Sequence, residues 1–87
     1  MTLVDVTSVS PIGGFVVELT FDDGTVRQVD LEPYLRGPVF EPVRRDPAYF
    51  QSVRVDPELG TIVWPNGADI DPQVLRYGLR LASWPEP

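Results

Sequence analysis

The segment spanning residues 15–31 constrains the fold most strongly, because two runs of alternating apolar residues flank a tight-turn sequence. Alternation with a period of two predicts half-buried β-strands. Asp22-Asp23-Gly24, which separates the two runs, is typical of the turn of a β-hairpin. The chain therefore contains at least one antiparallel strand pair with a buried face.

The length of this hairpin loop follows from which side chains would share a face. A two-residue turn at Asp23-Gly24 would set Leu19 against Gln28 and mix apolar with polar side chains on both faces. A three-residue loop with Gly24 left-handed makes one face mainly apolar, so we predict the longer loop. The predicted pairs are Phe21 with Thr25, Leu19 with Arg27, Val17 with Val29 and Phe15 with Leu31.

Shorter patterns predict the rest of an α+β domain. Apolar residues at 3–10 suggest a first strand, closed by residues 11–14. Short helices are expected near residues 31–37, 39–45 and 48–51, with Asp46 as a cap. A second hairpin is expected from residues 52–64, with Val53, Val55, Ile62 and Trp64 on its inner face.

The last predicted element is a helix over residues 72–82. Asp71 caps it, Pro72 occupies its first position, and Ile70 packs on Leu75 as a hydrophobic staple. The helical spacing places one set of residues on the buried face and another opposite; Gly78, on the buried face, would mark close approach to the sheet. The buried set is Val74, Leu75, Gly78, Leu79 and Ala82, and the opposite set is Gln73, Arg76, Tyr77 and Arg80.

The predicted architecture is thus a small antiparallel sheet from two β-hairpins plus an N-terminal strand. Short helices lie between the hairpins, and one C-terminal helix packs on the sheet. With 87 residues, the chain is expected to be a single domain over 1–87, with a core at about 3–82 and a proline-rich tail at 83–87.

Composition removes most catalytic chemistry. The sequence has no cysteine, histidine or lysine. Without cysteine there is no thiolate nucleophile, and without histidine there is no imidazole base or imidazole zinc ligand. Without lysine, Schiff-base chemistry and a phosphate-binding lysine are excluded. We expect no enzymatic activity, no catalytic residue and no cofactor.

The net charge of −6 limits the partners. An acidic surface repels nucleic-acid phosphates, so direct nucleic-acid binding is not expected. No apolar stretch reaches the ~18 residues of a membrane span, and the expected location is the cytoplasm.

Residues 64–72 concentrate the remaining polar candidates, and two interpretations compete there. Trp64, Asn66 and Asp69 are candidate interaction residues. Alternatively, Asn66, Asp69 and Asp71 supply oxygen ligands to a hard cation or a small ligand. The structural interpretation is favoured, with Asn66-Gly67 as a turn and Asp71 as a cap, which leaves Asp69 without a local role.

Trp84, in the tail, is a fourth candidate interaction residue. It would be a contact residue if exposed and would cover the core if folded back, and the sequence does not decide between these states.

The order of several motifs resembles the bacterial domain of unknown function 2442 family over roughly residues 3–81. The most specific motif is the block at residues 64–70, Trp-Pro-Asn-Gly-Ala-Asp-Ile. The Phe21-Asp22-Asp23-Gly24 hairpin, the Val29-Asp30-Leu31 strand end, and Phe50 ahead of a strand accompany it. The resemblance implies a small α+β fold without an established activity. Some members of the family are linked to a helix-turn-helix segment, and others are encoded beside another small protein in proposed toxin–antitoxin pairs.

These observations lead to two functional hypotheses. The first is a non-enzymatic protein-interaction module, an acidic antitoxin-like member of a two-protein pair whose partner is another small protein encoded next to it. Homodimerisation through an exposed strand edge is compatible with this hypothesis. The second is a small-ligand or hard-metal site near Asn66, Asp69 and Asp71.

Overall fold

A computed structural model describes residues 3–78 of the chain. Its five strands are divided between a three-stranded antiparallel sheet of order β1-β2-β3 and a two-stranded antiparallel sheet β4-β5. The strands are β1 (Val6–Gly13), β2 (Val16–Phe21), β3 (Val26–Asp30), β4 (Arg54–Asp56) and β5 (Thr61–Val63). The helices are α1 (Glu41–Arg45), α2 (Pro47–Gln51) and α3 (Pro72–Tyr77), with 3₁₀ turns at Glu32–Tyr34 and Pro38–Phe40. The α+β class is confirmed.

The predicted register of the first hairpin is confirmed. Leu19 pairs with Arg27 and Val17 with Val29. The Phe21 N–H donates to the Thr25 carbonyl at 2.9 Å, and Gly24 has a φ of 86°. The three-residue loop keeps the apolar side chains of both strands on one face, as the burial of Val17, Leu19 and Val29 shows.

The first strand is displaced from its predicted position. β1 begins at Val6 and continues to Gly13, through the residues that were expected to close it. Its pairing with β2 shifts register between Val6 and Ser8 and again between Pro11 and Gly13. Backbone pairing with β2 extends the strand where no side-chain alternation marks it, and a proline is tolerated because β1 is an edge strand.

The segment between the two hairpins contains more separate helical turns than predicted. Residues 39–45 form a 3₁₀ turn and then α1, rather than one helix. α2 follows the prediction, because the Asp46 carboxylate accepts a hydrogen bond from the Ala48 N–H at 3.0 Å and Pro47 begins the helix.

The C-terminal helix is shorter than predicted. α3 ends at Tyr77, and Gly78 adopts a left-handed conformation (φ 66°) in which its N–H donates to the Val74 carbonyl. A left-handed glycine terminates a helix, so the prediction of one continuous helix over residues 72–82 is wrong at Gly78. Gly78 is exposed and caps the helix, and an added Cβ there would lie 3.8 Å from Arg27 Nη2 of β3. That is an ordinary contact distance, so the left-handed backbone rather than close approach to the sheet calls for glycine here. Leu79, Arg80 and Ala82 lie outside the described residues.

One hydrophobic core unites both sheets and α3. It includes Leu19 and Phe21 from β2, Ile62 from β5 and Leu75 from α3, all nearly inaccessible to solvent. Arg27 ties α3 to β3, because its Nη1 donates to the carbonyls of Leu75 and Arg76. The C-terminal helix is therefore held against the first hairpin both by apolar burial and by hydrogen bonds at its last turn.

Candidate functional site

Residues 64–71 form a linker between β5 and α3, called here the β5–α3 linker. The Trp64 N–H donates to the Ala68 carbonyl at 2.9 Å, and the Gly67 N–H donates to the Trp64 carbonyl at 2.9 Å. The Asn66 side-chain oxygen accepts a hydrogen bond from the Ala68 N–H at 3.1 Å. These bonds confirm the predicted turn at Asn66-Gly67.

Trp64 is a core residue. Its side chain is 1 % exposed, and its indole N–H donates to the Phe50 carbonyl at 3.0 Å. The ring also packs edge-on against Phe40, with centroids 5.9 Å apart. The predicted inner-face position of Trp64 is confirmed. The candidate interaction role is corrected, because a fully buried ring offers no surface to a partner.

Asn66 is exposed, but its amide is used within the chain. Besides accepting from Ala68, the amide nitrogen donates to the Val39 carbonyl at 2.8 Å. This bond spans 27 residues and attaches the β5–α3 linker to the Pro38–Phe40 turn. Asn66 therefore positions the linker, and both ends of its amide are engaged.

Asp69 and Asp71 differ in their side-chain partners. The Asp71 carboxylate accepts from the Gln73 N–H at 2.7 Å, which confirms the predicted cap of α3. The Asp69 backbone pairs with Val63 in an isolated antiparallel bridge, and its side chain is exposed. Within residues 3–78, the Asp69 carboxylate has no hydrogen-bond or ion-pair partner.

These two aspartates line one depression of about 120 Å³, called here the acidic depression. Ile70, Phe40 and Val74 supply its apolar wall. Tyr34 lines it too, and burial of the Tyr34 phenol raises its pKa against the opposing effect of Arg27, so the phenol stays neutral. The arrangement combines an apolar wall, two aromatic rings and two negative charges, a combination that suits a cationic side chain with an aliphatic stem.

Sequence reasoning identified only part of this depression. Asp69, Ile70 and Asp71 are adjacent in sequence, whereas Tyr34, Phe40 and Val74 come from separate elements. No periodic pattern connects residue 34 or 40 with residue 69. Their proximity depends on the Asn66–Val39 hydrogen bond and on packing of Phe40 against Trp64.

The geometry gives little support to a metal site formed by Asn66, Asp69 and Asp71. Asn66 does not line the acidic depression, and one Asp71 oxygen caps α3. Residues 3–78 contain no group of three or more His, Cys, Asp or Glu side chains placed to hold a metal ion. Trp84, the remaining candidate interaction residue, lies outside the described residues.

The negative surface is weakly compensated. Three ion pairs form among the described residues, namely Glu32–Arg36, Glu41–Arg45 and Asp23–Arg76. Two further arginines, Arg27 and Arg44, direct their guanidinium groups at backbone carbonyls instead of carboxylates. Most of the 13 acidic residues of the sequence therefore have no arginine partner in this part of the chain.

No helix in the described range is long and apolar enough to cross a membrane. Among curated proteins and solved structures, none matches the chain. A family model described as "Protein of unknown function (DUF2442)" matches residues 6–80. That match covers every described strand and helix, the β5–α3 linker and the acidic depression. On this evidence the chain belongs to the DUF2442 family of proteins of unknown function.

Proposed function

We propose that this protein is a non-enzymatic protein-interaction module that binds a small basic protein, as the acidic, antitoxin-like member of a two-protein pair. The partner is encoded next to it, and the complex forms in the cytoplasm. The absence of histidine, cysteine and lysine supports a binding role over catalysis.

The observation that carries the proposal is the Asp69 carboxylate in the acidic depression. It is exposed beside the apolar Ile70 and Val74, and it has no partner among the described residues. An arginine of a partner protein would pack its stem on the apolar wall and donate hydrogen bonds to this carboxylate. Arginine is the residue best suited to such bidentate contacts.

The surrounding charge supports the same kind of partner. A net charge of −6 with three ion pairs in the described range leaves an excess negative potential. Such a potential accelerates the encounter with a basic protein, most strongly at low ionic strength. The acidic depression would then determine where the bound partner is held.

Co-purification with the product of the neighbouring gene tests the proposal, followed by measurement of the dissociation constant. We expect Asp69→Asn to weaken binding at least about tenfold, chiefly through faster dissociation, because it removes a charge that the complex desolvates. The fold should be unaffected, since the carboxylate has no internal partner in residues 3–78.

Glu58→Gln is the matched control. Glu58 is an exposed acid in the turn between β4 and β5, and it does not line the acidic depression. Its neutralisation changes the net charge equally, so it should alter the association rate at low salt but not the dissociation rate. No complex at micromolar concentration and low salt, or equal effects of the two variants on dissociation, would contradict the proposal.

A further inference from the structure

Within residues 3–78, β3 is the last strand of its sheet and has one side without a partner strand, called here its open side. In the β2–β3 ladder the hydrogen bonds run through Arg27 and Val29, as the flanking Phe21–Thr25 and Leu31–Phe15 bonds show. In an antiparallel pair, alternate residues direct their N–H and C=O groups away from the partner strand. Those of Val26, Gln28 and Asp30 therefore point outward, and no described residue hydrogen-bonds to them.

The open side of β3 lacks the proline and bulges that often prevent strand addition, and its one inward-pointing charge, Arg27, is already hydrogen-bonded to α3. β3 contains no proline, no glycine and no bulge, and the side chains of Gln28 and Asp30 are exposed. Val26 is 55 % exposed despite being apolar. β1, at the other end of the sheet, contains Pro11 and two register shifts. One proline and two register shifts protect β1, whereas β3 has neither, and no described residue covers its open side.

We propose that β3 pairs antiparallel with β3 of a second copy of this chain, about a two-fold axis at Gln28. Gln28 then lies opposite Gln28 of the partner, and Val26 lies opposite Asp30 in both directions. All three outward residues of each strand form hydrogen-bonded pairs, and two three-stranded sheets become one continuous six-stranded sheet.

The sequence of β3 favours a second copy as the occupant, because the strand is self-complementary in this register. No like charges lie opposite each other, and two Gln28 amides meet at the axis, where each can donate and accept. A register centred on Asp30 would set two aspartates opposite each other and leave Val26 and Gln28 unpaired. Arg27, the one basic residue of β3, is held on the other face by α3.

Two substitutions of one residue test this register. Val26→Lys places a cation opposite Asp30 of the second copy, whereas Val26→Asp places two acids opposite each other. Each contact occurs twice in the symmetric dimer, so we expect the dissociation constants of the two variants to differ at least about fivefold, with Lys tighter. Sedimentation velocity over a concentration series measures this, at about 0.15 M salt or above to screen repulsion between the acidic copies.

Gln28→Pro tests the backbone contact. Its N–H points away from β2, so proline leaves the β2–β3 ladder intact and removes the donor at the two-fold axis. We expect Gln28→Pro to be monomeric and Gln28→Thr, which keeps the N–H, to dimerise. Circular dichroism and thermal melts confirm that both variants fold.

Amide hydrogen exchange provides a readout that does not depend on any variant. Protection of the Val26, Gln28 and Asp30 amides should rise with protein concentration, while Arg27 and Val29 are protected at every concentration. A chain that stays monomeric to about millimolar concentration overturns the proposal, as does unchanged dimerisation of Gln28→Pro or equal affinity of the two Val26 variants. Protection of these amides only in a complex with another protein also overturns it.

This dimer is independent of the acidic depression, since none of the outward β3 residues lines it. Asp69→Asn should therefore leave dimerisation unchanged. The failure of either proposal can be recognised without the other.

Discussion

The polar side chains of the β5–α3 linker have different structural roles although they are close in sequence. Asn66 bonds to Ala68 and Val39, and Asp71 caps α3. Asp69 alone among the linker's polar side chains has no partner within residues 3–78. A position without a structural task is the one at which a substitution reports on function.

Asp71→Ala should lower the free energy of unfolding by about 1 kcal/mol, because the Gln73 N–H at the start of α3 loses its acceptor. Asp69→Ala should leave it within about 0.5 kcal/mol, as is usual for surface positions. Urea unfolding of both variants at neutral pH measures the difference. Equal losses would mean that Asp69 supports the fold.

Local chemistry explains which residue roles were predictable. The caps Asp46 and Asp71 bond to N–H groups two residues away, so their sequence neighbours reveal them. The Asn66–Val39 bond and the meeting of Phe40 with Trp64 depend on chain folding over more than 20 residues. The aspartates of the acidic depression could therefore be predicted from the sequence, whereas the positions of its aromatic residues, Tyr34 and Phe40, could not.

Among the elements, the β2–β3 hairpin was predictable in register because only one loop length places its apolar side chains on a common face. The length of α3 was not, since the apolar spacing continues past Gly78 while the backbone turns left-handed there. The hairpin and the helix are joined by a pair outside the core: Arg76 Nε lies 3.0 Å from an Asp23 carboxylate oxygen.

This contact predicts a pH dependence. The Thr25 N–H holds the pKa of the Asp23 carboxyl below its ordinary value of 3.8, with Arg76 acting in the same direction. A carboxyl whose pKa is lower in the folded chain than in the unfolded chain stabilises the fold at pH values above its unfolded pKa. This stabilisation is lost as the pH falls through the folded pKa. Asp23→Asn should therefore be less stable than the parent at pH 6, and the difference should shrink towards pH 3.

Urea unfolding at a series of pH values measures this convergence. Asp69→Asn is the control for loss of one negative charge, because its carboxylate has no partner in the described range. A difference between Asp23→Asn and the parent that stays constant from pH 6 to pH 3 would contradict the assignment.

The whole molecule combines a small core with a net charge of −6, so self-repulsion opposes folding. Screening by salt should raise the melting temperature.

Thermal melts with Mg²⁺ or Ca²⁺ test whether a cation site at Asp69 and Asp71 adds to this screening. A ligand at about a hundred times its dissociation constant raises the free energy of unfolding by about 2.7 kcal/mol. Because Asp71 already caps α3 and Asn66 is engaged, we expect millimolar Mg²⁺ to act by screening alone. The parent and Asp69→Asn should then shift equally in thermal melts, whereas a larger shift of the parent would demonstrate a site.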